Sequence, residues 1–124
     1  MHKTPFREVL NRLLEKNRGA LGVLFLDESG EAVDFVCDDF TPYQLRVVGA
    51  YVRIYLRQMA RFLEDADLGE TKLLHITRDD LYIYAMPLPD DYALAFVQRR
   101  PAMVAQALRT LGEVGREIRR ELFD

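Results

Sequence analysis

The sequence predicts a three-layer α/β/α sandwich, in which helices cover both faces of a largely antiparallel sheet of five strands. Three observations lead to this prediction. The apolar periodicity changes along the chain in the order αββαβββα. Several strand-like runs are apolar on both faces, for example Leu21 to Leu26 and Leu81 to Met86, so both faces of the sheet need covering. Three helical segments are available to cover them.

Length and composition predict one soluble globular domain spanning residues 1–124. Hydrophobic residues make up 49% and charged residues 30%, which excludes a disordered chain. No apolar run approaches the roughly 18 residues of a membrane span. A net charge of -3 argues against a nucleic-acid-binding protein, which normally carries a basic surplus. With one cysteine and no apolar leader at the amino terminus, we expect a cytoplasmic protein.

The first half of the predicted sandwich is a helix followed by a hairpin. Thr4 is suited to cap the first helix and Pro5 to occupy its first position, while Gly19 suits a left-handed residue after its end. Two strands follow, joined by a turn that ends in glycine: Ala20 to Leu26, then Asp27 to Gly30, then Ala32 to Cys37.

The second half begins with a long helix from Thr41 to Glu64, where Thr41 and Gln44 form a capping box. Three strands come next: Lys72 to Thr77, Leu81 to Met86 and Tyr92 to Gln98. Pro101 is predicted to open the last helix. That helix has an apolar stripe of ordinary width, made of Val104, Ala107, Leu108, Leu111, Val114, Ile118 and Leu122.

The long helix has more apolar surface than one core can use. At about 100° per residue its charges fall in one narrow row: Arg46, Arg53, Arg57, Arg61 and Glu64. Apolar side chains occupy an arc of roughly two-thirds of the helix circumference, against about a third in an ordinary surface helix. A second burial partner is implied, and the residues therefore favour association with another protein over chemistry.

The hairpin carries a recognisable pattern, Gly19-Ala20, then the apolar strand Leu21 to Leu26, then Asp27 to Gly30. Together with the element order, this pattern resembles the roadblock/dynein light chain family over roughly Phe6 to Leu122. Profilin-like and longin domains share much of the outline. The resemblance implies strand order 2-1-5-4-3, and a homodimer or heterodimer that pairs the third strands of two subunits and packs their long helices together.

The residues themselves support such a dimer. Asp34 stands in the middle of the second strand, where a charge discourages strand addition, whereas the third strand lacks such protection. The predicted dimer interface comprises Val47, Tyr51, Ile54, Tyr55 and Phe62 of the helix and Leu73, Leu74, His75 and Ile76 of the strand.

The arginine row has two interpretations. It is either a solvated helix face or a docking surface for an acidic partner, because guanidinium groups bind carboxylates bidentately. The candidate docking residues are Arg46, Arg53, Arg57 and Arg61.

The inventory for catalysis is poor, and we predict no enzyme activity, metal or cofactor. Cys37 and His75 are the only plausible nucleophile and base, and the implied strand order puts them on opposite edges of the sheet. The acidic segment from Asp27 to Asp39 contains no base and its glycine comes too early for an EF-hand loop. No glycine pattern fits a nucleotide-binding motif.

Three functions stay open at this point. The first, which the resemblance implies, is a non-enzymatic dimeric scaffold or regulator similar to bacterial roadblock proteins. The usual partners of those proteins are Ras-like small GTPases. No GTPase-contacting motif is identifiable, so stimulation of GTP hydrolysis is not inferred. The second is a profilin-like or PAS-like small-molecule sensor with a pocket lined by Tyr82, Tyr84 and His75. The third is a Cys37/His75 enzyme.

Overall fold

The computed structural model describes residues 5–123, and its elements follow the predicted order. The helices and strands are α1 Arg7–Lys16, β1 Ala20–Leu26, β2 Ala32–Cys37, α2 Pro42–Asp65, β3 Leu74–Thr77, β4 Leu81–Pro87, β5 Ala93–Arg99 and α3 Val104–Phe123. A short 3-10 segment, Pro89–Asp91, connects β4 to β5. The strands form one sheet in the order β2-β1-β5-β4-β3, with every neighbouring pair antiparallel. The predicted strand order is therefore confirmed.

Helices cover both faces of this sheet, as the doubly apolar strands predict. Along β1, Val23 and Phe25 pack into a core with α1 and α3, whereas Leu24 and Leu26 pack into a second core with α2. Alternate residues of a strand point to opposite faces, so β1 contributes side chains to both cores. The α/β/α sandwich is confirmed.

Two helices begin later than the proline signals predict. α1 begins at Arg7, and the predicted cap Thr4 lies outside the described residues. The prediction that Pro101 opens α3 is wrong, because the helix begins at Val104. The backbone N–H of Arg100 still donates to the Asp80 carbonyl at 3.0 Å, which keeps residue 100 at the sheet. The chain then turns into the helical layer before α3 starts.

The hairpin turn is organised by the Asp27 carboxylate. Its Oδ1 accepts hydrogen bonds from the Ser29 hydroxyl at 2.7 Å, the Ser29 backbone N–H at 2.9 Å and the Glu31 backbone N–H at 3.1 Å. Gly30 supplies the left-handed residue with φ +90°. The Ser29 hydroxyl lowers the pKa of Asp27 most, burial opposes this shift, and the backbone N–H groups of the turn lower the pKa further.

The depressed pKa of Asp27 makes the turn sensitive to acid. A carboxylate whose pKa is lower in the folded than in the unfolded chain stabilises the fold above its unfolded pKa, near 3.8. That stabilisation disappears as the pH falls through the folded pKa. Asn cannot titrate, so we expect Asp27→Asn to make the unfolding free energy less dependent on pH below about pH 4. Urea unfolding at several pH values measures this. Glu28→Gln, in the same turn but outside this hydrogen-bond set, is the control; an equal change in both variants would contradict the role given to Asp27.

Asp34, the charge predicted to discourage strand addition at β2, is not exposed at the sheet edge. It is buried beneath α1, where its carboxylate accepts from Arg7 Nε at 3.0 Å and from the Phe35 backbone N–H at 2.9 Å. The hydrogen bond to Asp34 raises the pKa of Arg7, although burial of the guanidinium opposes it. An inward-pointing charge is also a known protection of edge strands. The protective residue is thus present, but it acts from inside the fold.

Candidate functional site

The outward side of α2 carries a row of apolar side chains that the chain leaves exposed. We call it the outer stripe: Val47 is 37% exposed, Tyr51 55%, Ile54 46%, Tyr55 44% and Phe62 58%. These are the five helix residues predicted for the dimer interface. No residue among those described, 5–123, covers them. Tyr43, one turn before Val47, extends the stripe and is more exposed still, although the sequence reasoning did not include it.

The opposite side of α2 is already satisfied by the sheet. Leu45, Val52 and Leu56 are buried there. Gly49 lets the helix approach closely, because a Cβ at this position would stand 2.9 Å from Leu26 Cδ2. Gly22 of β1 makes room for Leu45 in the same way, because a Cβ at residue 22 would stand 2.7 Å from Leu45 Cδ1. The core beneath α2 therefore uses the inner side of the helix and cannot also bury the outer stripe.

The outer stripe continues into the open edge of the sheet. β3 pairs with β4 on one side and with no other strand among the described residues. A shallow groove of about 410 Å³ runs between α2 and this strand and is almost entirely apolar. Its lining residues are Tyr55, Gln58, Met59, Phe62, Leu74 and Ile76. One surface thus combines exposed apolar side chains with unpaired strand backbone, which is what edge-to-edge pairing of two chains requires.

The remaining predicted interface residues flank this surface. Leu73, just before β3, is 37% exposed. His75 lies within β3 but on the other sheet face, where its ring stacks on Tyr84 at 4.7 Å and meets Tyr82 edge-on at 5.2 Å. Leu74 and Ile76 therefore lie on the same face of the sheet as the outer stripe, whereas His75 lies on the opposite face.

Several solved structures have a fold similar to that of this chain. No protein-family model and no curated protein sequence matches the chain. Solved structures do. A roadblock/LC7 domain from Streptomyces avermitilis aligns with TM-score 0.85 at 13% identity, covering 94% of this chain and 97% of that one. MglB from Myxococcus xanthus aligns with TM-score 0.83 at 11% identity, covering 95% and 94%. MglC from Myxococcus xanthus aligns with TM-score 0.71 at 19% identity, covering 96% and 100%.

The chain has the roadblock fold. The element order and the Gly19 to Gly30 hairpin, from which the resemblance was drawn, occupy the expected places in it. At identities of 11% to 19% the likeness concerns the fold, and the side chains of this chain decide what its surfaces can do.

Arg53 does not belong to an exposed docking row on this roadblock fold. It is only 6% exposed, and its Nη2 donates to the backbone carbonyls of Asp27 at 2.9 Å and Asp91 at 2.6 Å. Burial lowers the pKa of the guanidinium, and Arg57 lowers it further, while the nearby carboxylates raise it. The predicted docking role for Arg53 is replaced by a structural one, in which it ties α2 to two turns of the sheet.

The other three arginines of the row remain at the surface. Arg57 donates to the Glu28 carbonyl, and the Arg46 guanidinium lies 5.9 Å from the centre of the Phe35 ring. Arg57 and Arg61 thus flank the outer stripe on the side away from β3, and both side chains are exposed.

The two alternative sites gain no support from the geometry. Cys37 and His75 lie on β2 and β3, the two edge strands, about 19 Å apart if four strand spacings separate them. Tyr82, Tyr84 and His75 pack on one another with ring centres 4.7 to 6.1 Å apart, which leaves no space for a ligand between them. Tyr84 is fully buried and donates to Gln98 Oε1 at 2.9 Å; burial raises its pKa to about 12.

Residues 5–123 contain neither a metal-ligand cluster nor a membrane-spanning helix. That part of the chain contains no grouping of three or more His, Cys, Asp or Glu side chains suited to a metal ion. None of its helices combines the length and the apolar character needed to cross a membrane.

Proposed function

We propose that this protein is a non-enzymatic, cytoplasmic interaction module that works as a homodimer and binds a further protein, with a Ras-like small GTPase as the candidate partner. The observation that carries the proposal is the continuity of the outer stripe with the open edge of β3. In the proposed dimer, two β3 strands pair antiparallel across a two-fold axis and the two α2 helices bury their outer stripes against each other.

The magnitudes are adequate for a dimer. About half of each ring of Tyr51, Tyr55 and Phe62 is exposed, or roughly 100 Å² per ring on the usual range for aromatic side chains. Six such rings give about 15 kcal/mol of gross apolar stabilisation at about 25 cal/mol per Å². Association costs about 4 to 15 kcal/mol. The aliphatic residues of the stripe and the new strand pairing add to the favourable side, so the balance permits a stable dimer.

Two further observations support an assembly role. One solved structure with the same fold, at TM-score 0.84 and 14% identity, is described as MglB with a tetrameric arrangement. Among the described residues, Cys37 and His75 lie on opposite edge strands, and no group of three or more metal-ligating side chains is found. The GTPase is proposed because roadblock proteins, which this sequence resembles, usually act with Ras-like GTPases.

Arg57 and Arg61 are the side chains best placed to contact that partner, because both are exposed beside the outer stripe. We expect Arg57→Glu with Arg61→Glu to weaken binding at least about tenfold while the dimer mass is unchanged. The measurement is titration of Ras-like GTPases from the source organism, loaded with GDP or a GTP analogue, against the immobilised protein.

The matched control for this titration is Arg18→Glu with Arg78→Glu, which makes the same charge change elsewhere on the surface. It should bind as wild type does. If no GTPase binds in either nucleotide state, the partner assignment is wrong. If binding survives the α2 reversal, the docking side chains are wrong.

A further inference from the structure

The outer side of α3 is a second charged surface, on the opposite face of the sheet from α2. The buried stripe of α3 consists of Ala107, Leu111, Val114 and Ile118. Opposite to it, within an arc of about 100° on the helical wheel, lie Arg109, Gly112, Arg116, Arg119 and Arg120. We call these residues the α3 basic face. The four arginines are exposed, and the arc contains no carboxylate.

Two of the three glutamates of α3 point toward α1, and the third, Glu121, lies outside the arc of the α3 basic face. Glu117 pairs with Arg12 of α1 at 2.6 Å, and the Glu113 carboxylate lies 3.8 Å from Lys16 Nζ of α1. Within residues 5–123, none of the four arginines comes within 4.0 Å of a carboxylate oxygen. Arg109 Nη1 donates a hydrogen bond to Gln106 Oε1 at 3.2 Å. A chain with net charge -3 thus keeps four guanidinium groups on one helix face, none of them in an ion pair with the described residues.

Gly112 lies in the middle of this face, and the described residues give no packing reason for a glycine there. A Cβ there would meet only the flexible tip of Arg116, at an ordinary 3.7 Å. At Gly115 on the same helix, by contrast, a Cβ would stand 2.7 Å from Met86 Sδ. A glycine within a helix is less favourable than alanine because it loses more backbone freedom on folding. Gly112 is therefore less favourable than alanine at a position where residues 5–123 leave room for a side chain.

We infer that the α3 basic face is a docking surface for an acidic helix of another protein. Guanidinium groups bind carboxylates bidentately, and Arg109 and Arg116 lie two turns apart, about 10.5 Å along the axis. Acidic residues seven positions apart on a partner helix match that spacing. Gly112 lies between them and lets the partner backbone approach closely. A fluid lipid surface would need the arginines but not the gap at Gly112, so the glycine favours a protein partner.

This surface stays available in the proposed dimer. The α2 stripes would meet on one side of the sheet, whereas α3 belongs to the layer on the other side. The inference does not depend on the dimer, because α3 and its charges belong to one chain.

The test is an NMR titration of the full chain with a synthetic alanine-rich helix that carries glutamates at positions i, i+3 and i+7. We expect the backbone amides of residues 105–120 to shift. We expect Arg109→Glu with Arg116→Glu to weaken binding at least about tenfold, with Arg18→Glu and Arg78→Glu as the charge-matched control that keeps it. Gly112→Leu should also weaken binding, and Gly112→Ala should leave Tm unchanged or higher.

Four results would count against docking of an acidic helix on α3. Binding that is the same in the reversed and control variants, or shifts that lie outside α3, would overturn the inference. A fall in Tm for Gly112→Ala would show a packing role for the glycine and remove the argument for close approach. Binding to phosphatidylserine vesicles but not to the acidic helix would assign the face to a membrane surface and contradict a protein partner.

Discussion

Replacing Tyr51 and Phe62 together by aspartate is expected to convert the proposed dimer into folded monomer. Both rings are more than half exposed in the single chain, so their loss should leave the fold intact. In a dimer the change removes four rings, or about 10 kcal/mol of gross apolar stabilisation, and places carboxylates in a dry interface. We expect the dissociation constant to rise by at least about a thousandfold. Sedimentation equilibrium gives the mass, and circular dichroism confirms that the variant is folded.

The control for this variant replaces two exposed apolar residues outside the outer stripe. Leu68 is 63% exposed and Met103 76% exposed, and neither belongs to the stripe or to β3. Leu68→Asp with Met103→Asp makes the same change in charge and should leave the mass of the assembly unchanged. If both double variants behave alike, the outer stripe is not the interface.

Replacing Arg53 by alanine is expected to lower the free energy of unfolding by about 3 kcal/mol, because it removes two charge-assisted hydrogen bonds from a buried site. The carbonyls of Asp27 and Asp91 lose their guanidinium partner, and the turns after β1 and before β5 lose their connection through α2. Urea unfolding of the variant measures the effect at a fixed protein concentration, since dimerisation would also contribute to stability.

Arg61→Ala is the matched control, because Arg61 occupies an exposed position two turns along the same helix. Its unfolding free energy should lie within about 0.5 kcal/mol of wild type. Equal stabilities for the two variants would contradict the structural role of Arg53.

The fold could be predicted because its signals are local. The capping box of Thr41 and Gln44 is present at the start of α2, with reciprocal hydrogen bonds of 3.1 and 2.9 Å. The doubly apolar runs became strands covered on both faces. The outer stripe follows from the same periodicity, since a helix can present only one side to a sheet.

The errors arose where a residue's role depends on distant parts of the chain. Arg53 shares a helix side with Arg57 and Arg61, but its partners are carbonyls 26 and 38 residues away, in turns whose positions periodicity does not give. Asp34 pairs with Arg7, 27 residues earlier. Pro101 fits the first position of a helix, yet residue 100 is held at the sheet by Asp80. Helix angle alone predicts which side of an element a residue occupies, but not what a long side chain reaches.

The most direct test of the central claim is sedimentation equilibrium of the unmodified chain over a concentration series around the micromolar range. If the outer stripe and the edge of β3 are covered by a second copy, the molecular mass is twice that of the chain. It then falls toward the single mass only on strong dilution. A mass equal to one chain throughout the series, with the outer stripe still open to solvent, would contradict the account.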